Sequence, residues 1–345
     1  MSKIVKNQHY VPRLYLRGFT EKKSKDYKIC VYDKEKGAVR ENQSIENVGA
    51  ERYFYDLEYE KVFDIEKIKK LKAGDEGYEQ VKEFKDLDIT TLDRQFMERY
   101  FAETVEPRFK MMLDTIQSVY LLTNKQNLMN VTVISHDNKA NYALLLAIQF
   151  IRTKEFKQVI EQMPQLMVEF MKKKQRLMGE EVADIDSSSI AYTKEYAKFE
   201  HLKWLLDNDI GIEFANCFCN HIWYIGVNNT PINLYTSDSP IVKIPHYNGR
   251  MGGSGLKSIG IEIVFPITPK LILVMKERSY HKDFMKYENK YKMLNISEVM
   301  RYNEGQIYGS YRNIFSVDND FDIAKIVKIL NPEISKINRR RLVMG

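Results

Sequence analysis

The chain has 345 residues, which is enough for one large domain or two ordinary ones with a sizeable hydrophobic core. Its 44% hydrophobic and 29% charged content excludes an intrinsically disordered protein. A net charge of +6 spread along the chain allows a polyanionic partner but lacks the concentrated basic stripe of a dedicated nucleic-acid-binding domain. The one sharp basic cluster, at residues 336–341, is predicted to be a solvated helix end, with a phosphate-binding surface as the alternative.

The number of cysteines and the lengths of the apolar runs indicate in which cellular compartment the protein is expected. The three cysteines, Cys30, Cys217 and Cys219, are too few to stabilise a chain of this length by disulfides, and the odd number fits a reducing environment. Their spacing does not match a structural zinc site. The N-terminus lacks a signal-peptide pattern, and the longest apolar runs are far shorter than a membrane span. We therefore expect a cytoplasmic protein without a membrane partner.

A segment near the N-terminus, residues 7–19, is dense in polar and aromatic side chains. Chain ends are normally the least ordered part of a protein, so this density predicts a segment that docks into the body. Pro12 suits the first position of a helix, His9 precedes it in extended chain, and Arg13 and Arg17 lie four apart on one side. Two interpretations follow: a docking helix whose arginines pair with carboxylates, or a site wall that His9 and Arg13 contribute.

The next part of the chain predicts a hairpin and then an insertion. Apolar and polar side chains alternate along residues 27–32, and a turn separates this segment from residues 38–40. This pattern is typical of two antiparallel strands. Residues 45–49 are predicted to be short and helical or irregular. Residues 58–87 mix lysines with acids around few apolar positions, and we interpret them as an insertion into a single domain of residues 1–345.

Helical spacing returns from residue 88 to residue 121, with Pro107 predicted to kink or break the helix. Glu103 and Glu106 lie three apart, close enough to bind one cation or one base. The favoured interpretation is nevertheless that both are solvated acids.

A central helix is predicted to begin at Ser135 or Asp137 and to run to about residue 163. Its middle is apolar on nearly all sides, which is typical of a helix surrounded by other elements. Gln149 and Arg152 interrupt this pattern. A buried guanidinium without a partner costs on the order of several kcal/mol, so Arg152 should meet a carboxylate or an anionic ligand. A purely structural buried pair is the alternative to a binding site.

The C-terminal half changes from helix to strand. Helices are predicted at about 167–177, 190–206, 294–311 and 320–330, with a loop at 180–189. Residues 210–219 are either a short helix or the lead into a strand. Strands are predicted at 222–227, 232–236, 259–265, 271–276 and 315–317. The predicted fold class is α+β, a mainly helical body with a small antiparallel sheet formed by the N-terminal hairpin and the C-terminal half.

Three further motifs of the C-terminal half are compared with known kinds of functional site. Residues 236–240 contain Ser237 and Asp238 before a proline, which is ordinary turn chemistry but also suits a metal ligand, a base or the partner of a buried arginine. Residues 249–257 are rich in glycine, but their spacing departs from that of a phosphate loop, so a mobile loop is predicted. Glu262 on a predicted strand lacks the nearby lysine that would complete a restriction-nuclease-like core.

Five motifs occur together along the chain. They are residues 7–19, Glu51 with Phe54-Tyr55, Gln149-x-x-Arg152-Thr153, Thr236-Ser-Asp-x-Pro240 and Phe265-Pro266-x-Thr-Pro269. Together they resemble the bacterial domain-of-unknown-function family numbered 4238, over most of the chain from Gln8 to about Phe315.

The resemblance implies little chemistry, because the name of the family records no settled activity. It implies that the polar residues at the motif positions cluster: His9, Arg13, Glu51, Gln149, Arg152, Ser237 and Asp238. Families of this kind are often encoded among mobile and defence genes, so a role against phage is a further expectation.

The leading hypothesis is an enzyme, a hydrolase or nuclease-like protein, that acts on a phosphate-bearing nucleotide or nucleic acid. Arg13 and Arg152, assisted by Gln149 and Ser237, would bind the anionic substrate. His9 would act as general acid or base.

Asp238 or Glu51 would orient His9 or hold a divalent cation as cofactor. The alternatives are a non-catalytic sensor or scaffold with a structural arginine–carboxylate network, and a nucleic-acid binder that uses residues 339–341. The oligomeric state is left open.

Overall fold

The N-terminal segment forms short elements that dock on the rest of the chain. The computed structural model describes residues 4–21, 26–76, 78, 82, 88, 92–179, 192–246 and 255–341. The first elements in chain order are strand β1 (Asn7–His9), helix α1 (Arg13–Leu16), strands β2 (Lys28–Asp33) and β3 (Ala38–Ser44), and strand β4 (Ala50–Arg52). The predicted hairpin is confirmed as the antiparallel pair β2–β3.

Helix α1 is held by one aromatic side chain in particular. Tyr15 is fully buried, stacks on Phe265 with ring centroids 5.0 Å apart, and donates a hydrogen bond to the carbonyl oxygen of Pro266 at 2.6 Å. Aromatic pairs in this geometry stabilise beyond the area that they bury. The segment therefore docks into the body of the protein as the sequence predicts.

The described part of the middle of the chain contains eight α-helices. They are α2 (Tyr59–Val62), α3 (Ile65–Lys70), α4 (Phe96–Tyr100), α5 (Glu106–Leu122), α6 (His136–Ile151), α7 (Lys154–Met178), α8 (Lys194–Leu206) and α9 (Asn208–Cys219). Helices α2 and α3 fall within the predicted insertion, most of whose second half lies outside the described residues. The predicted loop at residues 180–189 lies wholly outside them.

Helices α4 and α5 are joined by a π-helical turn, Phe101–Val105, where a kink at Pro107 was expected. The amide of Glu106 bonds the carbonyl of Phe101, five residues back, and Pro107 takes the first turn of α5, where its missing N–H costs nothing. The wider turn admits the proline without breaking the helix.

The predicted continuous helix from residue 135 to residue 163 is wrong. Ser135 caps α6 as expected, but the helix ends at Ile151, and Thr153 starts α7 by accepting a hydrogen bond from the Phe156 amide at 3.3 Å. An internal threonine cap competes with continuation of the helix. The break leaves Arg152 at a corner between two helices.

The remaining elements form two sheets and two helices. They are β5 (Ile222–Val227), β6 (Thr236–Ser237), β7 (Val242–Pro245), β8 (Ile261–Thr268), β9 (Leu271–Lys276), β10 (Tyr291–Met293), α10 (Ile296–Gly309), β11 (Asn313–Ser316) and α11 (Asp322–Leu330). Only the last residue of the predicted 232–236 strand lies in a strand, since β6 begins at Thr236.

The two sheets confirm the α+β class. One has five strands in the order β10-β5-β9-β8-β7, with β10 parallel to β5 and the other pairs antiparallel. The other has four antiparallel strands in the order β3-β2-β11-β6, so the N-terminal hairpin and the C-terminal half share a sheet as predicted. Strands β1 and β4 pair separately.

Two predicted surface features have different outcomes. Most of the predicted mobile loop, residues 249–254, lies outside the described residues, and Gly255 begins a turn in which its amide bonds the Ser258 hydroxyl at 3.0 Å. The predicted solvated end at 336–341 is wrong for Arg339 and Arg341, whose side chains are only 12% and 2% exposed. None of the helices described here is both long enough and apolar enough to traverse a lipid bilayer.

Candidate functional site

A cavity of about 510 Å³ lies beside the N-terminal segment, and we call it the N-terminal cavity. Strand β1, the start of α1, the turn after β3 and the α4–α5 helix form its walls. Its lining residues are Ile4, Val5, Lys6, Asn7, His9, Arg13, Glu46, Glu98, Ala102 and Glu106. This volume lies within the range of small-molecule sites.

His9 is fixed in the wall by the antiparallel pairing of β1 with β4, where it lies opposite Ala50. Its Nε2 lies 3.1 Å from the carbonyl oxygen of Ile45. A carbonyl only accepts hydrogen bonds, so Nε2 carries the proton of the neutral ring and Nδ1 keeps its lone pair. Burial lowers the pKa of His9, the Ile45 hydrogen bond opposes this, and the charge of Arg13 adds to the lowering. The ring is therefore a neutral base at neutral pH.

Glu98 projects from α4 into the same cavity. Burial raises its pKa to about 7, against the opposing charge of Arg152 and with the support of Glu106. A carboxyl group with this pKa is partly protonated at neutral pH and can donate a proton. His9 and Glu98 thus have pKa values displaced in opposite directions within one cavity.

Arg13 lies at the mouth of the N-terminal cavity. Its guanidinium donates a hydrogen bond to Glu46 at 2.7 Å, and the two side chains are 50% and 59% exposed. An exposed ion pair of this kind contributes little to stability, so a phosphate group can exchange for Glu46 without a large loss. The structure therefore fits both a docking arginine and a ligand-binding arginine.

Arg152 is buried behind the cavity at the corner between α6 and α7. Its Nη2 donates to the carbonyl oxygen of His9 at 2.6 Å and lies 3.3 Å from Glu106 Oε1. The guanidinium also lies 4.0 Å from the centroid of the Phe101 ring. The prediction that Arg152 meets a carboxylate is confirmed by Glu106. Because its contacts are with the protein, Arg152 holds β1 and Glu106 in place and does not itself line the cavity.

Gln149 and Glu51 lie elsewhere. The Gln149 amide is buried and donates to the carbonyl oxygen of Tyr10 at 3.2 Å. Glu51 lies opposite Gln8 in the β1–β4 pair and forms an ion pair with Lys154 at the start of α7. Neither side chain lines the N-terminal cavity.

Asp238 and Ser237 form a buried turn after β6. Asp238 accepts hydrogen bonds from the amides of Tyr311, Arg312 and Asn313 at 2.8, 2.9 and 2.7 Å. Ser237 Oγ lies 2.8 Å from Gln306 Oε1. The carboxylate thus joins the end of β6 to the start of β11, which is the turn interpretation of this motif and not contact with His9.

The structure therefore divides the seven candidate residues. His9 and Arg13 line the N-terminal cavity and Arg152 supports it, while the other four are bound to protein groups at other places. Two acids that line the cavity, Glu46 and Glu98, were missed by sequence reasoning. No regular helical spacing points to Glu98, because the π-helical turn Phe101–Val105 lies between it and Glu106.

The described part of the chain contains no group of three or more His, Cys, Asp or Glu side chains arranged to hold a metal ion. The divalent cation considered for Asp238 or Glu51 therefore has no such ligand group among these residues.

Comparison with known proteins gives one match. A family model described as "Protein of unknown function (DUF4238)" matches residues 7–320. No curated protein and no solved structure matches the chain. The matched range includes β1, the α6–α7 corner and the Asp238 turn.

Proposed function

Since this chain belongs to the DUF4238 family, whose description specifies no reaction, we propose its function from the geometry of the N-terminal cavity. The proposed function is hydrolysis of a phosphate-bearing substrate, a nucleotide or nucleic acid. One observation carries it: His9 and Glu98 line the same cavity, and their pKa values are displaced in opposite directions. Such a pair divides the roles of base and acid.

In the proposed reaction a water molecule attacks the phosphorus atom. His9 Nδ1 accepts a proton from this water as the new P–O bond forms. Glu98 donates its proton to the leaving oxygen as the old P–O bond breaks. Arg13 leaves Glu46 and binds the non-bridging oxygens with its planar donor pair.

The rigidity of β1 supports these roles. The Arg152 contact with the His9 carbonyl and the Ile45 contact with the His9 ring fix both the backbone and the side chain of the base. A base held by its surroundings loses little freedom when substrate binds. Arg152 is therefore a positioning residue, in place of the substrate-binding role first expected.

A non-catalytic sensor or scaffold is the second candidate function. It is favoured by the protein partners of Arg152, Gln149, Ser237 and Asp238, which satisfy these polar groups without any ligand. This candidate predicts that the wild type hydrolyses no phosphate-bearing substrate and that loss of His9 changes only the stability of the protein.

The test is His9→Gln, whose amide nitrogen matches Nε2 and can still donate to the Ile45 carbonyl. We expect loss of at least 100-fold in hydrolysis of phosphodiester and nucleotide substrates, with a melting temperature close to that of the wild type. The matched control is His136→Gln, an exposed histidine at the start of α6. Unchanged turnover in His9→Gln, or no hydrolysis by the wild type over a panel of such substrates, would contradict the proposal.

A divalent cation and a role against phage are further parts of the proposal. Activity assays with Mg²⁺ and with a chelator test the first. For the second, the support is the family resemblance, and plaque counts on cells expressing the wild type or His9→Gln are the measurement. Equal plaque counts would remove the phage hypothesis without affecting the hydrolysis test.

A further inference from the structure

A second and larger pocket, of about 810 Å³, lies on another part of the molecule, and we call it the α7 pocket. Helices α7, α8 and α9, strand β7 and the C-terminal residues 339–341 surround it. It shares no lining residue with the N-terminal cavity. Its volume is that of a site for a small organic molecule.

One wall of the α7 pocket is aromatic. Phe156 lies 5.6 Å from Trp204 and 5.8 Å from Phe214 between ring centroids, and Phe150 lies 5.5 Å from Phe156. Rings packed in this tilted and edge-to-face manner form a rigid apolar surface. This wall suits the hydrocarbon or aryl part of a ligand.

Another part of the lining is basic. Arg339 and Arg341 both bind Glu155, at 2.7 and 2.9 Å. Lys243 on β7 faces the same pocket, and Glu155 contributes to its electrostatic environment. Among the described residues that line this pocket, Glu155 is the one acid, and the cations are Lys243, Lys257 and Arg339–Arg341. Asp238, outside the lining, also acts on the charge of Arg339. The lining is therefore predominantly basic.

Lys243 differs from the two arginines in having no partner. No residue that the structure describes forms a hydrogen bond or an ion pair with the ammonium group of Lys243. Burial lowers the pKa of Lys243, and the charge of Glu155 opposes this effect. An uncompensated cation next to an apolar wall is unfavourable for the folded state by itself. A bound anion would compensate it.

We propose that the α7 pocket binds an organic anion, with an apolar body against the aromatic wall and a carboxylate, phosphate or sulfonate on Lys243. The charge excess selects the sign of the ligand, and the Phe156–Trp204–Phe214 surface selects its apolar part. This site is independent of the proposed hydrolysis, because it needs neither His9 nor Glu98.

The test is a fluorescence titration of the full-length protein with 8-anilinonaphthalene-1-sulfonate, an aryl anion whose emission rises in an apolar site. We expect saturable binding that Lys243→Met weakens at least tenfold, since a charge-assisted contact is lost. Lys243→Met should also raise the melting temperature of the ligand-free protein, because it removes an uncompensated charge. The control is Lys282→Met, an exposed lysine that does not line the pocket, and it should change neither quantity.

A second variant, Val159→Phe, narrows the pocket from α7 and should weaken the same binding without touching the charge. Laurate and adenosine monophosphate are then used as competitors, to distinguish an acyl carboxylate from a nucleotide phosphate as the natural head group. Displacement by either supports the proposal. Equal affinity of the wild type and Lys243→Met, or of the wild type and Val159→Phe, would overturn it.

Discussion

Two buried charged networks of this protein differ in their access to solvent. In the five-stranded sheet, Glu262 lies 2.6 Å from Lys276, 2.6 Å from His246 and 3.3 Å from Arg301, and accepts a hydrogen bond from Tyr302 at 2.9 Å. Its side chain has no exposed surface. We call this group the Glu262 cluster.

The network around Arg152 is more accessible to solvent at its carboxylates. Its carboxylate partner Glu106 is 27% exposed and borders the N-terminal cavity, and Glu98 lies in the same wall. The Glu262 carboxylate is fully buried beneath its partners, and only a cation at the edge of the cluster, Arg301, is 37% exposed, whereas the Arg152 network places acids where a ligand or water can reach them. The comparison indicates that the acid of the first network is a buried counterion and that the acids of the second are accessible.

The largest effect is expected for Glu262→Leu. This change leaves Lys276 buried without its counterion, so the free energy of unfolding should fall by about 3–5 kcal/mol. Urea unfolding followed by circular dichroism measures it. The matched control is Glu304→Leu, an exposed acid on α10, which should change stability by less than about 0.5 kcal/mol. A loss below about 1 kcal/mol for Glu262→Leu would mean that Glu262 is not a buried counterion of Lys276.

A smaller effect is expected for Arg152→Met. The contact with the His9 carbonyl is lost, but Glu106 is exposed enough to be solvated, so the loss should be about 2–3 kcal/mol. Arg176→Met, on the exposed part of α7, is the control. If Arg152→Met is as destabilising as Glu262→Leu in the same urea experiment, the two networks do not differ in solvent access.

The smallest expected effect is a difference in how Glu262 and Glu98 make the stability of the protein depend on pH. Burial would raise the pKa of Glu262, but the His246 hydrogen bond and the charges of Lys276 and Arg301 outweigh it and hold the value at about 2. Stability from Glu262 is therefore present above its unfolded pKa, near 4.5, and is lost as the pH falls towards 2. Glu98 has the opposite sign, because its folded pKa of about 7 lies above 4.5.

The folded protein consequently loses stability from Glu98 as the pH rises from about 4.5 to about 7. Glu98→Gln should flatten the stability profile in this window and leave the acid limb below pH 4.5 unchanged. Thermal unfolding at a series of pH values measures both limbs. A Glu98→Gln profile identical to that of the wild type would show that this carboxyl is not buried in the cavity wall.

The sequence predicts local features well and their partners poorly. A cation in an apolar helix is visible in the sequence, so the need of Arg152 for a carboxylate was predicted, but Glu106 lies 46 positions away on another helix. Glu262 was judged incomplete for lack of a lysine nearby. In the structure a buried ion-pair partner, Lys276, lies directly opposite Glu262 on β9, and strand register cannot be read from one strand alone.

The missed parts of the candidate site have similar causes. The π-helical turn at Phe101–Val105 changes which residues of α4 and α5 share a face, so a regular helical period does not place Glu98 beside Glu106. Asp238 was assigned a catalytic role because its motif agreed with the family resemblance, but the three amide donors from residues 311–313 show the turn interpretation instead. The Thr153 cap was not recognised, which is why the α6–α7 corner was missed.

The strand order of the four-stranded sheet has a consequence for how the chain folds. Strand β11 pairs on one side with β2 and on the other with β6, so the strand in contact with the hairpin is synthesised long after the hairpin itself. At translation rates of roughly 5–20 residues per second, β2 keeps an unpaired edge for on the order of tens of seconds. Exposed edges promote association between chains, and contacts this distant in sequence form slowly. Production of the protein should therefore improve at lower temperature or with chaperones that shield nascent strands.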